Sequence, residues 1–119
     1  MKILSDKQGP FVIMVVKGRM DVTTAPKFVT ACTQWLDKGE KTFLVDVGQL
    51  EYISSAGLRS ISSVGMRLRA TQGKLVFCNM KGMVQEVFKT TGFSRLFSIY
   101  PTIPQALMAL TQGGSKPST

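Results

Sequence analysis

No histidine occurs anywhere in this 119-residue chain. Serine catalysis needs a general base, and without an imidazole the usual Ser-His arrangement cannot be built. A structural zinc site lacks its ligands too, because Cys32 and Cys78 stand far apart with no C-x-x-C spacing. A Gly-rich loop closing on Lys-Ser or Lys-Thr is also missing, which excludes nucleotide hydrolysis by that route. The expectation is a protein that is not an enzyme and holds no metal or cofactor. Long apolar runs are absent as well. The longest, residues 11–16, has six members, against roughly 20 for a bilayer span. Asp6 and Lys7 interrupt the N-terminal stretch, so no secretory signal is read there. A cytoplasmic location follows as an expectation, and in a reducing compartment both thiols are expected as small core residues.

Acidic residues are scarce. Seven Asp and Glu face fifteen Lys and Arg, for a formal charge of +8. That balance admits a nucleic-acid partner, an acidic protein partner or a merely solubilising surface. The cations are scattered singly, with no run of three and no interleaved aromatics to serve as stacking platforms. Direct nucleic-acid binding is therefore not expected.

What is present is enough for one core. Apolar residues form 44% of the chain, and the length suits a single domain over residues 1–112. Residues 113–119 are polar and rich in Gly, Ser and Pro, so they are expected as a flexible tail. An extended start at residues 2–4 and a turn over 6–10 lead into an apolar strand over 11–17, which Gly18 is expected to end. A helix is expected over 24–38, with Thr23 or Thr24 as cap and Pro26 in the first turn. Short buried strands follow at 42–47 and 74–78, the first leading into a loop over 48–53. Helices are expected over 55–70 and 83–90, and a last one opens at Pro101 or Pro104. Alternating strands and helices imply an α/β fold, a mixed sheet of four to five strands covered by about four helices.

The most informative stretch runs Leu44-Val45-Asp46-Val47-Gly48-Gln49-Leu50-Glu51-Tyr52-Ile53-Ser54-Ser55-Ala56-Gly57-Leu58-Arg59. A buried strand delivers the chain to two serines where a helix begins. Such an N-terminus exposes unpaired N–H groups and the positive end of the dipole, which suits a serine cap and also favours a phosphate. On the residues alone this is either an ordinary capped helix or a docking site for something anionic.

Ser54-Ser55-Ala56-Gly57-Leu58-Arg59 resembles the signature of bacterial anti-sigma-factor antagonists of the STAS family. Gly18-Arg19-Met20-Asp21 resembles the family's Gly-x-Leu-Asp element. The stretch 73–79 is similar to its next strand. Thr91-Gly92-Phe93 with Leu96-Phe97, and Pro104-Gln105-Ala106-Leu107, resemble its closing segments. These matches lie in family order over residues 11–110. The resemblance implies a single STAS-like domain that binds an anti-sigma factor, itself a serine-protein kinase, until phosphorylation releases it and a serine phosphatase restores it. Aligned on Gly57 and Leu58, the phosphoacceptor is Ser55. The family's preceding Asp is replaced by Ser54, which leaves Ser54 as an alternative acceptor. A STAS domain serving as a fixed interaction module of a transporter or signalling assembly is the alternative function.

The expected partner surface comprises Asp21, Thr23, Ser54, Ala56, Gly57, Leu58, Arg59, Ser62, Ser63 and Met66. Asp21 reads equally as a turn or cap aspartate. Arg59, Ser62, Ser63 and Met66 share one helical face, opposite Leu58, Ile61, Val64 and Leu68, and that face reads as a partner surface or as a solvated one. Gly57 is expected to let another backbone approach, so a bulky residue there should harm binding more than folding. Asp46, inside an apolar strand, is expected to be structural.

Overall fold

The computed structural model describes residues 1–112; the expected tail, residues 113–119, lies outside the described residues. Five strands form one sheet in the order β1-β2-β3-β4-β5. β1 (Lys2–Gln8) is antiparallel to β2 (Phe11–Met20), and β3 (Thr42–Ile53), β4 (Lys74–Cys78) and β5 (Ser98–Tyr100) continue parallel to β2. Between them lie α1 (Ala25–Leu36), α2 (Ser55–Ala70), α3 (Gly82–Thr91) and the one-turn α4 (Phe93–Leu96), and α5 (Ile103–Thr111) closes the chain.

Alternation along β2 explains its unbroken apolar run. Val12, Met14, Val16 and Met20 enter a large core with Phe28 and Cys32 of α1, Ile61, Val64 and Leu68 of α2, and Phe88 of α3. Ile13 points the other way and joins Leu44, Val76 and Tyr100 under Ala106 and Leu110 of α5. A strand covered on both faces has no polar side to show. Phe77 anchors the larger core, with Phe88 and Phe97 edge-on to it at 5.3 and 5.6 Å between centroids. The indole of Trp35 donates to Ser5 Oγ at 3.0 Å, and Lys7 pairs with Glu40 at 2.6 Å, tying the edge strand β1 to the α1 region.

Four expectations need correction. β1 runs to Gln8, because residues 2–8 pair in register with residues 11–17 and the turn is confined to Gly9 and Pro10. Gly18 does not end β2: it adopts φ +96° between two register shifts, and the strand continues to Met20 beside β3. Residues 48–53 are strand, not loop. The shifted register spaces the buried Leu50 and Ile53 three apart, which hides the two-residue period. Finally, among the described residues, α4 brings the helices to five where about four were expected, while β5 is the fifth of the expected four to five strands. α4 and β5 occupy residues 93–100, where elements of four and three residues leave no readable period. The last helix starts with Thr102 as cap, its hydroxyl accepting from the Gln105 N–H, so Pro104 is the first-turn proline.

Both cysteines are free and fully buried. Loss of solvation pushes each thiol up to about 12, with Asp46 adding to the effect at Cys78. Ellman's reagent should therefore leave the native chain untouched and titrate both thiols once denaturant is added. Rapid native reaction at either cysteine would show that its part of the core opens readily.

Candidate functional site

β2 and β3 end side by side at Met20 and Ile53. The Met20 carbonyl accepts the Ser54 N–H at 2.9 Å, so the strand pair hands directly over to α2. Ser54 is the N-cap, in extended conformation, and its hydroxyl accepts from the Gly57 N–H at 3.3 Å. Its carbonyl accepts the Leu58 N–H at 3.0 Å. Ser55 is the first residue of α2 and is exposed. Among the described residues its hydroxyl makes no side-chain hydrogen bond. The two serines thus differ in kind: one hydroxyl is engaged in the cap, the other faces solvent at the positive end of a sixteen-residue helix.

Gly57 has an internal reason for its missing side chain, where a docking one was expected. It is buried, and a Cβ placed on it would lie 2.7 Å from Ile53 Cγ1 and 3.0 Å from both Met20 Cγ and the Met20 carbonyl oxygen. The glycine lets the first turn of α2 sit against the ends of β2 and β3. Leu58 and Ala56 are half-buried and pack against the larger core, so they offer a partner only part of their surface. Arg59, Ser63 and Met66 are exposed along one row of α2, Met66 by 66%, with Ser62 half-buried beside them.

Asp21 follows Met20 directly, which places it at the same strand ends as Ser54 and Ser55. Its Oδ1 accepts from the Thr23 hydroxyl at 2.7 Å, the Thr23 N–H at 3.0 Å and the Thr24 N–H at 3.1 Å. The Thr24 hydroxyl accepts the Asp21 N–H and donates to the Arg19 carbonyl, both at 2.8 Å. Asp21 therefore shapes the turn that starts α1, while Thr23 stays exposed. The Thr23 hydroxyl, with the neighbouring N–H groups, holds the Asp21 carboxyl below its ordinary 3.8. A lowered folded-state value stabilises the fold above the unfolded one, and that contribution is lost as pH falls through the folded value. Asp21→Asn should melt earlier than wild type near about pH 7, and the gap should narrow toward about pH 3. A gap that stays constant with pH would mean the carboxylate charge contributes nothing.

Asp46 accepts the Gly48 N–H at 2.9 Å, the structural role its strand position suggested. Three features escaped sequence reasoning. Val22 is 72% exposed and, with Pro26, Val29, Ala56, Arg59 and Ser63, lines a groove of about 290 Å³ between α1 and α2. An apolar residue between Asp21 and Thr23 was the available signal. Ser60, in the same groove, donates to the Ala56 carbonyl at 3.1 Å. Arg19 lies over the Tyr52 ring at 4.1 Å, a pairing that only the shifted β2–β3 register creates. Among the described residues no cluster of three His, Cys, Asp or Glu could hold a metal, and no helix is long and apolar enough to cross a membrane.

Comparison with known proteins agrees with this architecture. The STAS domain profile matches residues 2–106. BtrV of Bordetella bronchiseptica, named an anti-sigma factor antagonist, is 38% identical over 99 residues, covering 83% of this chain and 85% of BtrV. An anti-sigma factor antagonist from Mycobacterium paratuberculosis superposes with a TM-score of 0.82 at 22% identity, over 91% of this chain and 92% of that one. The Bacillus cell fate determinant SpoIIAA, solved in its phosphorylated form, gives 0.73 at 15% identity over 92% and 99%. At the last two identities the likeness is one of fold, whereas the profile and BtrV speak to family. The chain belongs to the STAS domain family and, within it, to the anti-sigma factor antagonists.

Proposed function

We propose that this chain is a partner switch: unphosphorylated, it binds an anti-sigma factor that is also a serine kinase, and phosphorylation of Ser55 releases it. The observation that carries the reading is the division of labour between the two serines. Ser54 Oγ is held by the Gly57 N–H, and Ser55 is exposed in the first turn. A kinase must reach its acceptor hydroxyl, and a helix start tolerates the resulting dianion. A protein of the same fold has been solved phosphorylated, which supports the chemistry for this scaffold. A phosphatase would reset the switch, and the protein itself would act only by binding, in the cytoplasm.

The test is incubation of the full chain with ATP and candidate anti-sigma factors, followed by intact-mass and fragment analysis. One added phosphate on Ser55 is the expected product. A stable complex that never yields phosphate would make the domain a fixed interaction module of a larger assembly.

A further inference from the structure

β5 is shorter than the strand it pairs with. It runs beside Val76, Phe77 and Cys78 and leaves Lys74 and Leu75 without a strand on that side among the described residues. A cavity of about 170 Å³ lies there, between the last two turns of α2, the start of β4, the α4–β5 segment and the end of α5. Leu75, Val76, Leu96, Phe97, Tyr100 and Leu110 give it apolar walls. Packing fixes them. Phe97 stands edge-on to Phe77 at 5.6 Å, and a Cβ on Gly65 would lie 2.8 Å from Phe97 Cε1, so glycine is what lets that ring rest against α2. Leu96 is 52% exposed although it lines the cavity, which leaves apolar surface open at the mouth. Two cations, Arg69 and Lys74, belong to the same lining, and among the described residues no aspartate or glutamate does. Arg69 is exposed and forms no ion pair among the described residues.

We propose that this cavity binds a small apolar carboxylate, its hydrocarbon body between Phe97, Tyr100 and Leu110 and its anion held by Arg69 beside Lys74. Volume sets the size of the ligand. An apolar cavity of about 150 Å³ admits a benzene ring, whereas drug-sized ligands need pockets of about 300–1,000 Å³. One ring or a short branched chain therefore fits, with the carboxylate at the mouth. Charge sets the sign, because two cations with no acid among them attract an anion. The guanidinium is the better partner for a carboxylate, whose two oxygens match its planar fork. The apolar walls favour an anion that carries hydrocarbon over a bare inorganic one, since burial of that hydrocarbon drives binding. Ser55 opens α2 and Arg69 lies in its last turn, roughly 21 Å further along the axis. The cavity is thus a site apart from the proposed switch, and its occupancy does not depend on that reading.

Phenylacetate is the probe, titrated into the isotope-labelled full chain at about 50 mM salt while amide shifts are followed. Two controls divide its chemistry: 2-phenylethanol keeps a ring of the same size without the charge, and acetate keeps the charge without the ring. Phenylacetate should shift the amides of Gly65, Arg69, Leu75 and Ser98 along one saturating curve, with a Kd of about 1 mM for so small a ligand. Each control should bind about fivefold more weakly or less. Arg69→Gln should melt like wild type, its side chain being exposed. It should lose about fivefold in affinity for phenylacetate and nothing for the alcohol, and Arg69→Lys should keep most of the affinity. No shift up to about 20 mM, equal binding of the alcohol, equal binding of acetate, shifts centred on α1 and β1, or an Arg69→Gln variant that binds phenylacetate unchanged would each overturn the proposal. None of these readings involves Ser55, so a chain that never accepts phosphate there would sink the switch and leave the cavity's test intact.

Discussion

Gly57→Leu should lose a large part of the domain's folding stability. The Cβ alone would stand 2.7 Å from Ile53 Cγ1 and 3.0 Å from the Met20 carbonyl oxygen. Rotation of a flexible side-chain end relieves a clash cheaply, but the carbonyl is backbone and is already bonded to the Ser54 N–H. To admit even a methyl group, α2 must lift from the ends of β2 and β3, loosening Ile61 and Val64 in the core. Overpacking by a few atoms costs about 1–3 kcal/mol, so Gly57→Ala should lose roughly that much. Leucine adds three more carbons and should exceed about 3 kcal/mol, a large share of a typical 5–15 kcal/mol stability. Urea melts of both variants check this. A leucine variant that melts like wild type would mean that the helix start is compliant, and would restore the glycine to the partner surface.

The second large effect is expected at Ser55, in binding and not in folding. Phosphate at the first position of α2 meets the helix dipole and free N–H groups, so the isolated domain should melt near the unmodified temperature. In the complex the same group would crowd a surface shaped for a hydroxyl. A penalty of about 3 kcal/mol corresponds to roughly 100-fold weaker binding to the anti-sigma factor. Ser55→Asp should reproduce part of this, and Ser55→Ala should bind constitutively while refusing phosphate. Ser54→Ala makes the necessary companion. It gives up the cap on Gly57, at about 1 kcal/mol of stability, yet it should still accept phosphate. Calorimetry for binding and mass analysis for modification separate the cases. Phosphate retained in Ser55→Ala but lost in Ser54→Ala would move the switch one residue upstream.

Sequence by itself determined the α/β class, the positions of α1, α2, β4 and the terminal helix, and the serines at the start of α2. These depend on short-range physics: a helix needs its cap and apolar period locally, and a strand covered on both faces must be apolar throughout. Motif order then carried the family. Tertiary structure decided the rest, because the relevant neighbours are distant along the chain. Residues 48–53 extend as strand only because residues 17–20 pair with them through two register shifts. Gly57 reads as a docking glycine until Met20, thirty-seven positions earlier, is seen against it. Val22 is one apolar residue in a polar turn until α1 and α2 close a groove around it. Arg67 and Thr33 are thirty-four positions apart, and bond only because α1 and α2 pack side by side.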